Sequence, residues 1–281
     1  MLPDRKRIER LRNRTIKYVL KRKCRNGGFC FYRLDEPNAS DTYYALSVLN
    51  LLNVDFNDDR TVEYLKKIHS ADGGYQGIYS AHYSIEALLL LGEKPEYNIE
   101  EYLKRNLQIY SVENLPAGGA SIFRKFYYLT DLCHSLKIGI WRKTTDRITE
   151  FVLNFRRMDN GFGYTRSTLM ETFHALSILE ILSYRIEKLN TQEFIKSCEN
   201  QTYGIVNLPN TTPAFVEHIY SGLMLSKKLD YNLRYPEKCI RFLLNCQNKN
   251  GGFSRSISGG ISTLENTYYA VHSLSLQSIL Y

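Results

Sequence analysis

At 281 residues the chain is long enough for one large core or two small ones. Its 43% hydrophobic and 23% charged residues are those of an ordinary globular protein, and no apolar run approaches the roughly 18 residues of a membrane span. The net charge of +8 is confined to one end: residues 1–25 hold eleven bases against Asp4 and Glu9, a local +9 that leaves −1 for the rest.

That basic segment is the first predicted element. Ile8, Leu11, Ile16, Val19 and Leu20 form an apolar stripe beneath the charge, so it reads as an outer amphipathic helix. It also offers a peripheral contact to an anionic membrane or an acidic partner. No groove-reading element accompanies it, and nucleic acid is not expected as a partner. Charge from Asp4 onward, with no apolar h-region, predicts no signal peptide and a cytoplasmic protein. Six cysteines in such a chain do not imply disulfides. Cys24, Cys198 and Cys246 each lie a few residues ahead of a glycine-containing loop, as buried small side chains; Cys133 does not share that position.

From Arg25 onward one motif recurs: a polar glycine turn, usually with an aromatic, then a linker, then an apolar helix. RNGGFCF leads into SDTYYALSVLNLL, ADGGYQG into AHYSIEALLLLG, and PAGGASIF into TDLCHSLKIG. MDNGFGY leads into METFHALSILEIL, QTYGIVN into FVEHIYSGLML, and NKNGGFS into ENTYYAVHSLSL. The markers Gly27, Gly73, Gly118, Gly161, Gly204 and Gly251 are separated by 46, 45, 43, 43 and 47 residues, a steady period of the kind that marks a repeat architecture. Ahead of the turns lie charged amphipathic helices such as TVEYLKKI (61–68), RITEFVLNF (147–155) and EKCIRFLLNC (237–246), as expected of an outer layer. The helices after the turns are far more apolar, with LLLL at 88–91 the extreme. The predicted repeats are 1–53, 54–92, 93–138, 139–184, 185–228 and 229–281, within one domain spanning 1–281. Six outer–inner pairs close most simply into an all-α, double-walled α6–α6 toroid, with an open solenoid as the alternative. The inner-helix N-termini would then surround a central cavity at one end and favour anionic ligands there.

The repeat, clearest in CQNKNGGFSRSISGGISTLENTYYAVHSL (246–274), resembles that of protein prenyltransferase β subunits and terpene cyclases. The resemblance covers essentially the whole chain. It implies a barrel of this kind and an isoprenoid diphosphate in an aromatic cavity, with a prenyl group transferred or cyclised there by a transferase-like or cyclase-like enzyme. The D-x-D-D acid of class II cyclases and the G-C-G-E-Q segment of the related thioester domains are both absent. The β subunits bind zinc through an Asp-x-Cys at the start of one inner helix and a His in the next. By that resemblance Asp131, Cys133 and His174 are the zinc ligands and catalytic residues, with the fourth position left for an acceptor thiol. Residues i and i+2 of a helix point about 200° apart. Asp131 and Cys133 therefore converge only if Asp131 sits at the helix's N-terminal edge.

The chain departs from the pattern in several places. The motif falls in the third and fourth repeats, not the last two, and its cysteine is followed by His134 where the family usually has Tyr. Lys125 matches a family arginine, but Tyr128 stands where a diphosphate-binding lysine is expected. Ser80 holds the slot of the diphosphate histidine, with His82 close by. Magnesium accompanying the diphosphate and a separate helical-repeat α subunit are further implications. Without that subunit the chain would work alone on a smaller acceptor.

Three sets of residues complete the reading. Arg33, Arg124, Lys125, Arg166 and Arg255 lie between glycine turns and inner helices, and the guanidinium fork suits diphosphate; solvated loop charge is the plainer account. Tyr43, Tyr44, Tyr83, Phe173, Tyr220, Tyr268 and Tyr269 gather near the inner-helix starts, either lining an isoprenoid pocket or filling the barrel. Asp41, Asp131, Glu171, Glu217 and Glu265 are placed there too, as N-caps or first-turn acids. They also leave open a glycosidase that works with two carboxylates. A non-catalytic toroid that binds a lipid or a protein is the remaining alternative.

Overall fold

Amphipathicity sorts the helices into two layers in the computed structural model, which describes residues 5–32, 35–69, 74–108 and 121–280. The outer helices are α1 (Arg5–Leu20), α3 (Asp59–Lys66), α5 (Glu100–Gln108), α7 (Arg142–Leu153), α9 (Gln192–Ser197) and α11 (Pro236–Asn245). The inner helices are α2 (Ala39–Leu51), α4 (Ile78–Leu90), α6 (Arg124–Ser135), α8 (Leu169–Ile181), α10 (Val216–Lys228) and α12 (Leu264–Leu276). An outer helix buries one stripe: α5 buries only Leu103 and Leu107. An inner helix is covered on both sides: α8 buries every residue from Glu171 to Leu179. Each inner helix packs against the next and α12 packs back against α2, so the ring closes and the solenoid alternative falls away.

Glycine turns join the layers. Gly27 and Gly251 have φ of +91° and +96°, and a Cβ there would stand 2.1 Å from the Arg60 carbonyl oxygen and 2.2 Å from that of Arg14. Only glycine combines that backbone with so close an approach. Three turns then present a fully buried Phe whose amide donates to a threonine hydroxyl on the fourth residue of the following inner helix. The pairs are Phe29 to Thr42 (3.0 Å), Phe162 to Thr172 (3.0 Å) and Phe253 to Thr267 (3.1 Å). In the fifth turn a short antiparallel pair, β1 (Glu199–Asn200) with β2 (Gly204–Ile205), does the bridging. The markers Gly73 and Gly118 lie outside the described residues.

Helix α1 seals the seam between the first and last repeats. Arg14 donates to the Asn248 carbonyl (2.7 Å), Thr15 to that of Gly251 (3.1 Å) and Tyr18 to that of Ser262 (2.9 Å). Of its expected apolar stripe, Leu11 and Val19 are buried and Ile8 and Ile16 half-buried. Leu20 is exposed instead, because Thr15 and Tyr18 take the inward positions.

The acids expected at the inner-helix starts divide. Asp41, Glu171, Glu217 and Glu265 occupy first turns, as the helix dipole favours, while Asn38, Thr168 and Thr263 supply side-chain caps. Asp131 does not belong with them. Helix α6 begins at Arg124, which makes Asp131 its eighth residue.

Candidate functional site

The inner helices share a register. The fifth residue of each carries a ring: Tyr43, His82, Tyr128, Phe173, Tyr220 and Tyr268. All six line one central cavity of about 430 Å³, joined from the sixth positions by Tyr44, Tyr83, His174 and Tyr269. The aromatic residues named from sequence are thus brought together around one space. Tyr127 lines it too, from the fourth position of α6, and Tyr128 supplies an aromatic where the resemblance implied a lysine. That Tyr128 falls at the fifth position is hidden in the sequence by the linker. Helix α6 starts six residues after Gly118, whereas α2 starts twelve after Gly27.

A row of hydroxyls crosses this wall. Arg124 donates from Nε to Tyr128 Oη (3.2 Å) and from Nη2 to Tyr83 Oη (3.2 Å). Tyr128 and Tyr83 are 2.7 Å apart at their hydroxyls, Tyr83 and Tyr44 3.0 Å, and Tyr44 donates to Glu265 Oε1 at 3.1 Å. The carboxylate accepts the single Tyr44 proton, so Tyr83 must donate to Tyr44 and Tyr128 to Tyr83. Burial raises the pKa of Tyr44 and Tyr128 well above the usual tyrosine value, so these hydroxyls keep their protons at neutral pH. Burial works against the Arg124 charge, but the adjoining Tyr128 and Tyr83 hydroxyls raise its pKa on balance.

Of the bases proposed for a diphosphate, Arg124 and Arg255 line the cavity. Arg255 is already engaged: its Nε donates to Glu217 Oε1 at 2.6 Å. Lys125 is half-buried and Arg166 exposed, and neither lines the cavity; Arg33 lies outside the described residues. His82 does line it, with its ring stacked on Tyr128 at 4.0 Å and its Nε2 2.9 Å from Asp131 Oδ2.

The trio Asp131, Cys133 and His174 is not assembled. Asp131 faces the cavity and its partner is His82. Cys133, two residues on and so on the far side of α6, is buried toward α5. Burial, then the Glu100 carboxylate, push its thiol up to about 11, against the thiolate that zinc requires. His174 lines the cavity but shares a hydrogen bond through Nδ1 with Ser121 Oγ (2.9 Å), and burial followed by Arg124 lowers its pKa to about 3. The physical reason is phase. Convergence needed Asp131 at the N-terminal edge, and the helix starts seven residues earlier. These residues do not fit the zinc site that the resemblance implied.

Among the described residues a different set of ligating groups does converge. One donor atom from each of His82, Glu86 and Asp131 lies within 4.8 Å of the others. Glu86 is one helical turn below His82, and its pKa is raised by burial and then by the Asp131 charge.

The sequence over residues 1–92 and 95–279 matches the model of the prenyltransferase alpha-alpha toroid domain. No curated protein matches it. Among solved structures, the chain is similar to the Candida albicans protein geranylgeranyltransferase-I complexed with GGPP, at a TM-score of 0.73 and 20% identity over 95% of this chain and 91% of that one. It is also similar to the apo type II terpene cyclase MstE from Scytonema, at a TM-score of 0.62 and 13% identity over 99% of both chains. At these identities the likeness to either structure is one of fold.

Proposed function

We propose that this chain, which belongs to the prenyltransferase alpha-alpha toroid family, binds an isoprenoid diphosphate in its central cavity and transfers or cyclises the prenyl group there. The observation that carries this reading is the ring at the fifth position of all six inner helices, with Arg124 beside it. Aromatic faces suit an apolar isoprenoid chain and stabilise positive charge as an allylic C–O bond ionises. The negative charge that leaves with the diphosphate is met by Arg124, whose planar fork makes paired hydrogen bonds to phosphate oxygens. A cavity of about 430 Å³ is in the range of small-molecule sites. No step passes through a thiolate-bound zinc, because Cys133 faces away from the cavity.

Two further parts belong to the proposal. Lys6, Arg10 and Lys17 stay exposed on α1, and this basic face is where an acidic surface, whether a partner subunit or an anionic membrane, makes contact. The orientation of Cys133 also favours a second reading, a toroid that holds an isoprenoid without reacting it. A carboxylate glycosidase draws less support, since Glu217 is tied to Arg255 and Glu265 accepts from Tyr44.

Isothermal titration with farnesyl and geranylgeranyl diphosphate tests the reading. Saturable binding is expected. Arg124→Gln should weaken it about tenfold or more, the loss of a charge-assisted contact of roughly 1.5–3 kcal/mol. If neither diphosphate binds, the proposal fails. If they bind and no prenyl product forms with any acceptor or alone, the non-catalytic reading stands.

A further inference from the structure

Below the aromatic ring the cavity wall changes character. Glu86 follows His82 by four residues on α4, and Asp131 follows Tyr128 by three on α6, so both descend one turn from the ring on the inward face. The two carboxylates and the imidazole between them bring donor atoms within 4.8 Å of one another. Two acids so close repel one another unless a cation lies between them or one of them keeps its proton.

One orphaned atom points the same way. Among the described residues the buried Oε1 of Glu86 makes no hydrogen bond, and the carboxyl lies one turn from His82, which is only 3% exposed. Buried polar atoms without partners are uncommon and call for an account. The spacing supplies one. Donors about 2.1 Å from a shared ion lie about 3 Å apart at right angles and about 3.4 Å apart at tetrahedral ones, and His82 Nε2 stands 2.9 Å from Asp131 Oδ2. The imidazole is held flat by Tyr128, at an interplanar angle of 15°.

We propose that His82, Glu86 and Asp131 form a divalent transition-metal site whose remaining coordination positions open toward the central cavity. One imidazole nitrogen and two carboxylates make a nitrogen–oxygen donor set without sulfur. That set suits zinc best among the common ions, manganese less well, and magnesium least, because magnesium prefers all-oxygen surroundings. The inference goes beyond the isoprenoid reading and does not depend on it, since metal binding is measured with no isoprenoid present.

The test uses the full chain after chelator treatment, titrated calorimetrically with Zn²⁺, Mn²⁺ and Mg²⁺. One Zn²⁺ per chain is expected, with Mn²⁺ weaker and Mg²⁺ weakest. His82→Gln and Asp131→Asn should each weaken Zn²⁺ binding about tenfold to a hundredfold, the usual effect of disturbing a metal site, and Cys133→Ala should leave it unchanged. Co²⁺ loaded in place of zinc should show no thiolate charge-transfer band. Circular dichroism identifies any variant that fails to fold; Asp131→Asn, at a partly exposed side chain, gives the reading if His82→Gln does not fold. The proposal is overturned if the wild type takes up no Zn²⁺, or if both folded variants bind as the wild type does. Loss of binding in Cys133→Ala, or a thiolate band with Co²⁺, overturns it as well. In those cases His82 and Asp131 are simply a hydrogen-bonded pair.

Discussion

Repeats one, four and six differ from repeats two and three in how the inner helix is fastened. In the first group a buried Phe amide is held by a threonine at the helix's fourth position. In α4 and α6 that position is Ala81 and Tyr127, which offer no such hydroxyl beside the backbone. The histidines divide along another line. His174, His218 and His272, on α8, α10 and α12, are pushed down to about 3, 4 and 4 by burial and then by Arg124, Arg255 and Lys227. His82, on α4, instead faces two carboxylates. Helices α4 and α6, which lack the threonine at that position, thus carry the paired acid and imidazole groups.

The firmest way to break the contrast is to attack a fastened turn. Gly251→Ala should cost about 3 kcal/mol, because its Cβ would meet the Arg14 carbonyl at 2.2 Å with the backbone at φ +96°. A fall in Tm of roughly 8 °C is expected in a thermal scan.

Next in size is the response to acid. His174 has a pKa of about 3 in the fold against 6.5 for the free side chain, so the unfolded chain takes up the proton more readily. Its contribution is complete above pH 6.5 and is lost as pH falls from there toward 3. Denaturant titrations should show about 2 kcal/mol less stability from this one group at pH 5 than at pH 7. His174→Asn should flatten that part of the profile.

Thr172→Val removes one clasp while keeping the shape of the side chain. It leaves the Phe162 amide buried without a partner and should cost about 1.5 kcal/mol by denaturant melt. An equal change at Thr267 should cost about the same, and unequal costs would show that the clasps are not equivalent. Tyr83→Phe, on the unclasped arc, interrupts the hydroxyl row and should cost the least, about 1 kcal/mol. A larger loss there than at Thr172 would reverse the comparison.

The toroid was legible in the sequence because glycine spacing and helix polarity are local signals repeated six times. The position of Asp131 was not. Helix start depends on the linker between glycine turn and inner helix, and that linker differs between α2 and α6 by six residues. Counting from the apolar run at TDLCHSL placed Asp131 at a helix start, when FRKFYYL ahead of it is already helical from Arg124. Cys133 then went to the wrong face, since a phase error decides which of two residues two apart looks inward. Glu86 escaped notice for a different reason. It reads as one charge in an apolar helix, and only its alignment with α6 sets it beside Asp131.

The hydroxyl row from Arg124 to Glu265 has a polarity. With a pure donor at one end and a carboxylate at the other, each tyrosine proton along it is oriented the same way, and the bond dipoles add. Four staves of the ring, α6, α4, α2 and α12, are thereby wired in series. An anion that drew Arg124 away would free acceptor lone pairs at one end of the wire. Protonating Glu265 would let it run in reverse from the other.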